Sequence, residues 1–285
     1  MVKKVLIVIL SLLTLATIGL FIYEIVFGAG INSNNIIKYI CAVVALAASF
    51  SRLIGSMDKG FNKRNKKDRM IIEESYNSEI KNAFIRKDQA KERKELINAL
   101  ILFNNKKYPE TLKKLNLLLK KCRTNDDHAA VYTFIAVTYS RIGIHEKAIE
   151  FYSKVLKYDD TRSNVWSNIG FQYSAMGNHK EAVNVLTKAI QKDANNVNAY
   201  HNLSYAYMCL QDYVNAIVSA DKALAIKSDI TDVISILALC YCAIGDKESA
   251  DKYYKMYVIN GGSGPELRAM IDDMTYNNLI DHDIK

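Results

Sequence analysis

Apolar residues recur at helical spacing through the second half of the chain. In residues 164–175 they lie on one side of a helix, at Val165, Trp166, Ile169 and Tyr173. In residues 180–192 they do so again, at Ala182, Val183, Leu186 and Ile190. Since residues three or four apart share a helical face, the two stretches predict a pair of amphipathic helices.

This pair of helices is repeated every 34 residues. A tyrosine marks each copy, at Tyr139, Tyr173, Tyr207 and Tyr241, and a small residue follows it, at Ala148, Ala182, Ala216 and Ala250. Glycine fills the turn at Gly143, Gly177 and Gly245, and Gln211 takes its place in one copy. Such a period predicts stacked helix pairs that bury their apolar faces on the neighbouring pair. We expect the repeated residues to form the core, so that Trp166→Ala costs about 3–5 kcal/mol.

One copy, residues 163–196, resembles the tetratricopeptide repeat. Its matching residues are Trp166, Ile169, Gly170, Tyr173, Gly177, Ala182, Leu186 and Ala189. Copies at 129–162, 197–230 and 231–264 follow in register, and a degenerate copy occupies 92–125. The family's closing proline is absent, because Asp160, Ala194, Ser228 and Gly262 stand at its position. The resemblance implies an all-α fold, a solenoid of about five helical hairpins over residues 92–264.

The first 55 residues carry a second signal, which predicts a transmembrane helical hairpin. Residues 5–27 are apolar except for small hydroxyl residues, Tyr23 and Glu24 near the end, and would span about 34 Å as a helix. Residues 36–55 form a second candidate span of about 30 Å, with Lys38 and Arg52 near its ends. A signal peptide is the alternative for the first stretch, but that stretch exceeds the usual length and a second span follows directly.

Positive charge sets the expected topology of this hairpin. Residues 1–91 hold 14 Lys or Arg against 7 Asp or Glu, whereas residues 92–285 hold 24 against 23. The basic excess therefore flanks the predicted spans and predicts a cell-membrane protein with both termini and the repeats in the cytoplasm. The bilayer is then a partner. Nucleic acid is not expected, because the repeats are nearly neutral and carry no basic stripe with aromatic residues.

Two segments flank the predicted repeats. Residues 56–91 form a basic juxtamembrane linker, in which residues 69–91 predict a helix with an apolar stripe at Ile72, Tyr76, Ile80 and Phe84. That helix could pack on the first repeat, pair with a second copy to give a homo-oligomer, or lie on the membrane. Residues 265–285 begin with Pro265 and predict a helix to about Leu279 that caps the last repeat.

The sequence offers little for catalysis, metals or cofactors. His145 and Glu146 begin like a zinc-protease helix, but Ile149 occupies the position of the second histidine. Cys240 and Cys242 are two apart on a predicted helix, so their side chains point apart. The odd cysteine count and irregular spacing favour free thiols. We expect no enzyme activity, no metal and no cofactor.

The resemblance implies where a partner would bind. In the tetratricopeptide family the first helix of each hairpin lines a concave groove that carries the ligand contacts. Carried onto this chain, these contacts are Asn164, Ser167, Asn168, Phe171, Asn198, His201, Asn202 and Tyr205, with Thr133, Arg141 and Ser174 nearby. Asparagine side chains can donate to and accept from a peptide backbone, and the aromatic residues would add apolar contact area. Equally, Asn168 and Asn202 could be ordinary family residues that satisfy local helix ends.

Some members of the family hold a carboxylate with Lys and Arg in the groove. Here those positions hold Asn, Ser, His and Thr, which disfavours a chaperone-tail clamp. We therefore expect a non-enzymatic scaffold or adaptor at the membrane, whose groove binds a peptide segment of partner proteins. The alternative is a sensor or regulatory subunit that binds a small ligand or a signal peptide.

Overall fold

The computed structural model describes residues 66–283, except for the side chains of residues 78 and 274–283. The chain divides into two compact units, Met1–Glu74 and Ser75–Lys285. Of the first unit, residues 66–74 are described, and they are helical. The predicted spans at 5–27 and 36–55 lie outside the described residues. Within the described residues, no helix is long and apolar enough to cross a membrane.

The second unit is a solenoid of helical hairpins, which confirms the predicted all-α repeat fold for the described residues. Its paired helices are α1 Ala90–Asn104 and α2 Tyr108–Leu119, α3 Asn125–Ile142 and α4 His145–Leu156, α5 Ser163–Ala175 and α6 His179–Lys192, α7 Val197–Cys209 and α8 Tyr213–Ile226, and α9 Thr231–Ala243 and α10 Lys247–Ile259. A final helix, α11, spans Gly264–Asp283. Each hairpin packs on the next, and we number these repeats 1 to 5.

The turns within the hairpins require a left-handed residue. Gly143, Gly177 and Gly245 adopt φ values of 85°, 77° and 83° there. Gln211 takes the same position in repeat 4 with φ 60°, a conformation that costs a residue with a Cβ atom about 1–2 kcal/mol. The backbone therefore repeats more strictly than the sequence does.

Helices also end without the family's proline. After α6, Asp193 turns to φ −150° and ψ 106°, and after α8, Lys227 turns to φ −143° and ψ 111°. These extended residues stand just before the sites where proline would be. Asparagine and aspartate then start the next helices: Asn196 accepts from the backbone N–H of Ala199, and Asp212 accepts from that of Asn215.

Small residues allow the two helices of a hairpin to approach. A Cβ atom placed on Gly170 of α5 would lie 2.5 Å from Cγ of Leu186 in α6. Ala182 and Leu186 are fully buried at this crossing. An added Cβ atom would overlap Leu186, so the close approach of α5 and α6 depends on glycine at residue 170.

The repeated tyrosines join one hairpin to the next. Tyr173 packs against two core clusters, one built from repeats 2 and 3 and the other from repeats 3 and 4. Tyr207 likewise contacts the second cluster and one in repeats 4 and 5. The tyrosines are only partly buried, because each lies at the seam between two repeats.

Trp166 differs from the prediction. Its ring is partly buried, its indole N–H donates to the backbone carbonyl of Asp160 at 2.8 Å, and Nζ of Lys188 lies 5.4 Å from the ring centroid. The ring therefore covers the edge of a core cluster instead of filling it. The expected cost of Trp166→Ala therefore lies at the lower end of the predicted range, at about 3 kcal/mol, because the residue is partly exposed.

The predicted single helix over residues 69–91 was wrong. Residues 77–80 form a short helix, Asn77–Ile80, and the chain then turns through Phe84, whose φ is 52°. A 3₁₀ turn at Lys87–Gln89 leads into α1. The chain reverses here because Asp127 of α3 accepts a hydrogen bond from the backbone N–H of Phe84 at 2.7 Å. From residue 75 onward this segment packs on repeats 1 and 2.

Helix α11 packs on α9 and α10 at the other end of the solenoid. Leu267 and Ile271 are buried against Ala238 and Leu239 of α9. Pro265 lies in its first turn, where a missing N–H costs nothing. The helix therefore covers apolar surface that a sixth repeat would otherwise bury.

Candidate functional site

The first helices of repeats 3, 4 and 5 lie side by side, since α5 contacts α7 and α7 contacts α9. The predicted groove residues occupy equivalent places on α5 and α7, because Asn164, Asn168 and Phe171 precede Asn198, Asn202 and Tyr205 by 34 residues each. We call the surface formed by these eight predicted residues of α5 and α7 the inner face.

Most of the inner face is accessible to a ligand. Asn164 and Asn198 are exposed, and the rings of Phe171 and Tyr205 are 48% and 44% exposed. Asn168, His201 and Asn202 are partly buried. Two aromatic rings and several amide groups are thus presented together on adjacent helices.

Ser167 is the exception among the predicted contacts. Its side chain is 1% exposed, and its hydroxyl accepts a hydrogen bond from Nδ2 of Asn202 at 3.4 Å. Ser167 therefore lies beneath the inner face and orients Asn202. Of the residues expected nearby, Arg141 is exposed, whereas Thr133 and Ser174 are buried.

A hydrogen-bonded chain fixes the start of the inner face. Nδ2 of the buried Asn196 donates to Oγ of Ser163 at 2.6 Å and to Oδ1 of Asn164 at 3.2 Å. Oγ of Ser163 in turn donates to the carbonyl of Ala189 at 2.7 Å. The same Asn196 caps α7 through its Oδ1, so one side chain sets both the first turn of α7 and the amide of Asn164.

The inner face carries no formal charge of its own. Helices α5 and α7 contain no Asp, Glu, Lys or Arg, whereas α6 contains His179, Lys180, Glu181, Lys188 and Lys192. His201 is the titratable base of this surface. Burial lowers the pKa of His201 and the carboxylate of Asp232 opposes that effect, with a net lowering. At neutral pH His201 is therefore uncharged and can both donate and accept a hydrogen bond.

Tyr205 is held in place by two neighbours. A hydrogen bond between its hydroxyl and Cys209, one turn later, is the main cause that raises the pKa of Tyr205, and burial adds to it. The ring of His179 meets the ring of Tyr205 edge-on, with centroids 6.3 Å apart. Tyr205 is therefore neutral and oriented before any ligand arrives.

A segment of the same chain, residues 76–84, covers the surface of α3 next to α5. In repeat 2, Phe134 is 2% exposed because the ring of Tyr76 packs on it edge-on with centroids 5.3 Å apart. The hydroxyl of Tyr76 donates to Oδ1 of Asn104 in α1 at 2.7 Å. The segment 76–84 thus lies across α3, which would otherwise extend the surface of α5.

Asp127 anchors this covering segment. One carboxylate oxygen accepts from the backbone N–H of Phe84, and the other accepts from Gln89 and from the N–H groups of Arg123 and Thr124. Burial raises the pKa of Asp127, but these hydrogen bonds outweigh it, so the pKa lies below its usual range. The ionised carboxylate is thus the stable form.

Helix α11 closes the surface on the other side. Leu239 of α9 is equivalent to Phe171 and Tyr205, yet it is 6% exposed because Leu267 and Ile271 pack on it. The sequence predicted that α11 caps the last repeat, but it did not predict that α11 and the segment 76–84 also bound the inner face. The Thr124–Asp127 capping box at the start of α3 could have been predicted from the local sequence. The second role of Asp127, as an acceptor for Phe84, could not, because the two residues are 43 positions apart in the chain.

The described residues offer no arrangement for metal or thiol chemistry. Among the side chains that the structure describes, no group of three His, Cys, Asp or Glu residues could hold a metal ion. His145 bonds Oε1 of Gln172 at 2.9 Å and has a structural role. Burial raises the pKa of Cys122 and of Cys240 to about 12, so neither thiol ionises near neutral pH.

Solved structures similar to this chain share its fold. The crystal structure of TTC0263, a thermophilic TPR protein of Thermus thermophilus, is 19% identical with a TM-score of 0.51 and covers 64% of this chain and 98% of its own. PilF of Pseudomonas aeruginosa is 18% identical, with a TM-score of 0.55 and coverages of 65% and 87%. MamA from Desulfovibrio magneticus RS-1 is 16% identical, with a TM-score of 0.53 and coverages of 60% and 95%. At these identities the likeness concerns the fold alone.

No curated protein matches the chain. A family model does: the one described as Psidin, N-terminal TPR repeats region, matches residues 94–255, more than half of the 285 residues. Its match covers the helical hairpins from α1 into α10. The chain therefore belongs to the tetratricopeptide repeat family, in the group described by that model, and has the fold of a protein-interaction scaffold.

Proposed function

We propose that this chain is a membrane-anchored, non-enzymatic scaffold whose inner face binds a peptide segment of a partner protein. The observation that carries the proposal is the pair of exposed rings, Phe171 and Tyr205, among amide side chains on adjacent helices. Large exposed aromatic residues next to fixed polar groups are typical of peptide-binding surfaces.

The amides supply the polar part of the binding. Asn168, Asn198 and Asn202 can each donate to a peptide carbonyl and accept from a peptide N–H. Asn202 is already oriented by Ser167, so little conformational entropy is lost when a ligand binds it. The partner is recognised through its backbone and its apolar side chains, and not through a terminal carboxylate.

The membrane anchor is the second part of the proposal and rests on the sequence. Residues 5–27 and 36–55 are long and apolar enough for two spans. Lys and Arg residues precede the first span and follow the second, so they lie on the same side of the predicted hairpin. The repeats then face the cytoplasm, next to the membrane. The scaffold would gather its partner at that surface.

Peptide binding at the inner face is tested by capturing a partner from the protein's own cells. The full-length chain, tagged and cross-linked before lysis, should retain a partner that Phe171→Ala with Tyr205→Ala loses. The matched control is Val214→Ala with Val218→Ala, which removes exposed apolar side chains from α8, outside the inner face. If the α8 control loses the partner and the groove variant keeps it, the binding surface is on the outer helices.

The anchor is tested by labelling with a membrane-impermeant maleimide. Ser33→Cys places a thiol between the two predicted spans, and we expect it to react in intact cells. The exposed native Cys209 is an internal control, which should react only after permeabilisation. Reaction of Cys209 in intact cells would invert the proposed topology.

A further inference from the structure

Charge is unevenly divided along the repeat region. Residues 81–123 hold 13 Lys or Arg against 4 Asp or Glu, whereas residues 124–285 hold 15 against 20. The near-neutral sum of the repeats therefore combines a basic stretch around repeat 1 with an acidic remainder. An excess of one sign on one part of a folded domain favours a partner of the opposite charge.

Two of the basic stretches meet at one place in the structure. The carboxylate of Asp127 accepts hydrogen bonds from the backbone N–H of Phe84 at 2.7 Å and from that of Arg123 at 3.0 Å. Asp88 joins the same stretches, because it pairs with Nε of Arg86 at 3.2 Å and with Nη1 of Arg123 at 2.6 Å. The turn before α1 and the end of α2 are therefore neighbours.

The exposed surface at this junction forms a basic edge. We give this name to six exposed residues, Ile85, Arg86, Lys87, Leu117, Lys120 and Arg123. The exposed Lys113 extends the edge, since residues 113, 117 and 120 lie on one side of α2 and its C-cap. Among the described residues, no carboxylate pairs with Lys87, Lys113 or Lys120. Their charges are therefore available to a partner.

Two large aliphatic side chains lie among these cations. Ile85 is 65% exposed and Leu117 is 53% exposed. Exposed aliphatic side chains flanked by lysines match the surface of a bilayer, where the apolar group enters the headgroup layer and the amines stay beside the phosphates. A single-stranded nucleic acid would instead stack on exposed aromatic rings, and none of the six residues of the basic edge is aromatic.

We infer that the basic edge docks the solenoid on anionic phospholipid headgroups. The guanidinium groups of Arg86 and Arg123 share one carboxylate and keep further N–H groups that can donate to lipid phosphates. Lys87 and Lys120 add attraction to the charged surface, and Ile85 enters the headgroup layer. This inference rests on the proposed membrane anchor and deepens it, because it names the lipid class and the face of the solenoid that meets the bilayer.

The place of the basic edge in the chain favours the lipid surface as its partner. The second predicted span ends at residue 55, so residues 56–84 connect the proposed anchor with Ile85. A tethered surface meets the bilayer at a high effective concentration, and weak contacts then suffice for docking. Since the cytoplasmic leaflet is the anionic one, its charge is complementary to that of the basic edge.

Quenching of site-specific labels by lipid tests the docking. The full-length chain with Cys209→Ser is placed in lipid nanodiscs, one chain per disc, with a bimane label on Asn82→Cys or Asn116→Cys, both exposed next to the basic edge. Spin-labelled phospholipid should quench both labels in discs that contain phosphatidylglycerol, and much less in discs of phosphatidylcholine alone. A label on Asn184→Cys, exposed on α6, should stay unquenched in both. The chain with Cys209→Ser alone gives the background from the other native thiols.

Charge reversal tests the contacts. Lys87→Glu with Lys120→Glu should reduce quenching in anionic discs to the level of neutral discs, because each lysine at an anionic surface shifts docking about fivefold. The matched control, Lys157→Glu with Lys222→Glu, makes the same change in net charge at the end of α4 and on α8 and should leave quenching unchanged. For the unchanged basic edge, salt at about 1 M, which shortens the Debye length to about 3 Å, should also release the labels.

The failures are distinguishable. If alkaline carbonate releases the chain from the lipid, the proposed anchor is wrong, and this inference falls with it. If the chain stays in the discs but the labels at residues 82 and 116 are quenched no more than the label at residue 184, only this inference is overturned. Salt-sensitive binding of a labelled DNA or RNA duplex that is lost in the Lys87→Glu, Lys120→Glu variant, without any lipid quenching, would assign the basic edge to nucleic acid and also overturn it.

Discussion

At the scale of single residues, contacts between distant positions decide what the repeat pattern leaves open. Ser167 and His201 occupy the same place in successive repeats, yet Ser167 is buried beneath Asn202 and His201 is not. A pattern with a period of 34 residues assigns both to the groove. Their different roles come from side chains one repeat away, which the pattern does not specify.

Gly170 was identified as a repeat residue from the sequence alone, and its place against Leu186 gives a direct prediction. Gly170→Ala should destabilise the protein by about 1–2 kcal/mol, because the added methyl group meets Leu186 and outweighs the gain in helix propensity. Urea unfolding of the full-length chain measures this. Asn184→Ala, at an exposed position of α6, should leave stability unchanged or slightly raised; stabilisation by Gly170→Ala would contradict the close packing.

Asp127 gives a prediction that depends on pH. Asp127→Asn should lower the free energy of unfolding by about 2–3 kcal/mol at pH 7, because the amide keeps only one acceptor oxygen and turns an NH2 group towards donors among Phe84, Gln89, Arg123 and Thr124.

The sign of the pH dependence follows from the direction of the pKa shift. The pKa of Asp127 is lower in the folded state, so its contribution is complete above the unfolded pKa of about 3.9 and is lost as pH falls through the folded pKa. The difference between wild type and Asp127→Asn should shrink accordingly in urea unfolding between pH 6 and pH 2.5. A difference that stays constant over this range would exclude the carboxylate as its source.

At the scale of helices and turns, local sequence predicted most elements, and the exceptions have tertiary causes. The turn glycines and the repeated small residues predicted where each hairpin lies, because the helices are long enough to show a clear period. The segment before α1 showed an equally good helical stripe. It is broken at Phe84 because Asp127 holds that backbone N–H, an interaction no local pattern contains.

The turn of repeat 4 allows a test of backbone strain. Gln211→Gly should stabilise the protein by about 0.5–1 kcal/mol, since the left-handed conformation suits glycine and part of the gain is offset by a more flexible unfolded chain. Gly177→Ala, at the equivalent turn of repeat 3, should destabilise it. Thermal unfolding of both variants measures the pair, and equal shifts in the same direction would be inconsistent with strain at these turns.

At the scale of the whole molecule, the repeats form one array whose two sides are closed by non-repeat segments. Because each hairpin contacts only its neighbours, stability depends on the interfaces between repeats and on the caps at either end. The sequence indicated a cap at α11. It did not indicate that α11 and the Tyr76 segment would also limit the groove, since neither segment belongs to the repeat pattern.

The C-terminal cap should contribute strongly to the stability of repeat 5. Leu267→Ala with Ile271→Ala should destabilise the chain by about 3–6 kcal/mol, because both side chains are buried on Ala238 and Leu239. Met270→Ala, an exposed neighbour on α11, is the matched control. Hydrogen exchange should report faster opening of α9 in the double variant; unchanged protection of α9 would show that α11 does not cap the array.

Asn196 also bears on how the array could be rebuilt. Because this one side chain both starts α7 and holds Ser163 and Asn164 of α5, repeats 3 and 4 are not interchangeable modules and should be transplanted as a pair. At the junction to repeat 5, Ile230 precedes α9 and supplies no such side-chain cap. A protein engineer who wishes to lengthen the solenoid should therefore insert new hairpins between repeats 4 and 5.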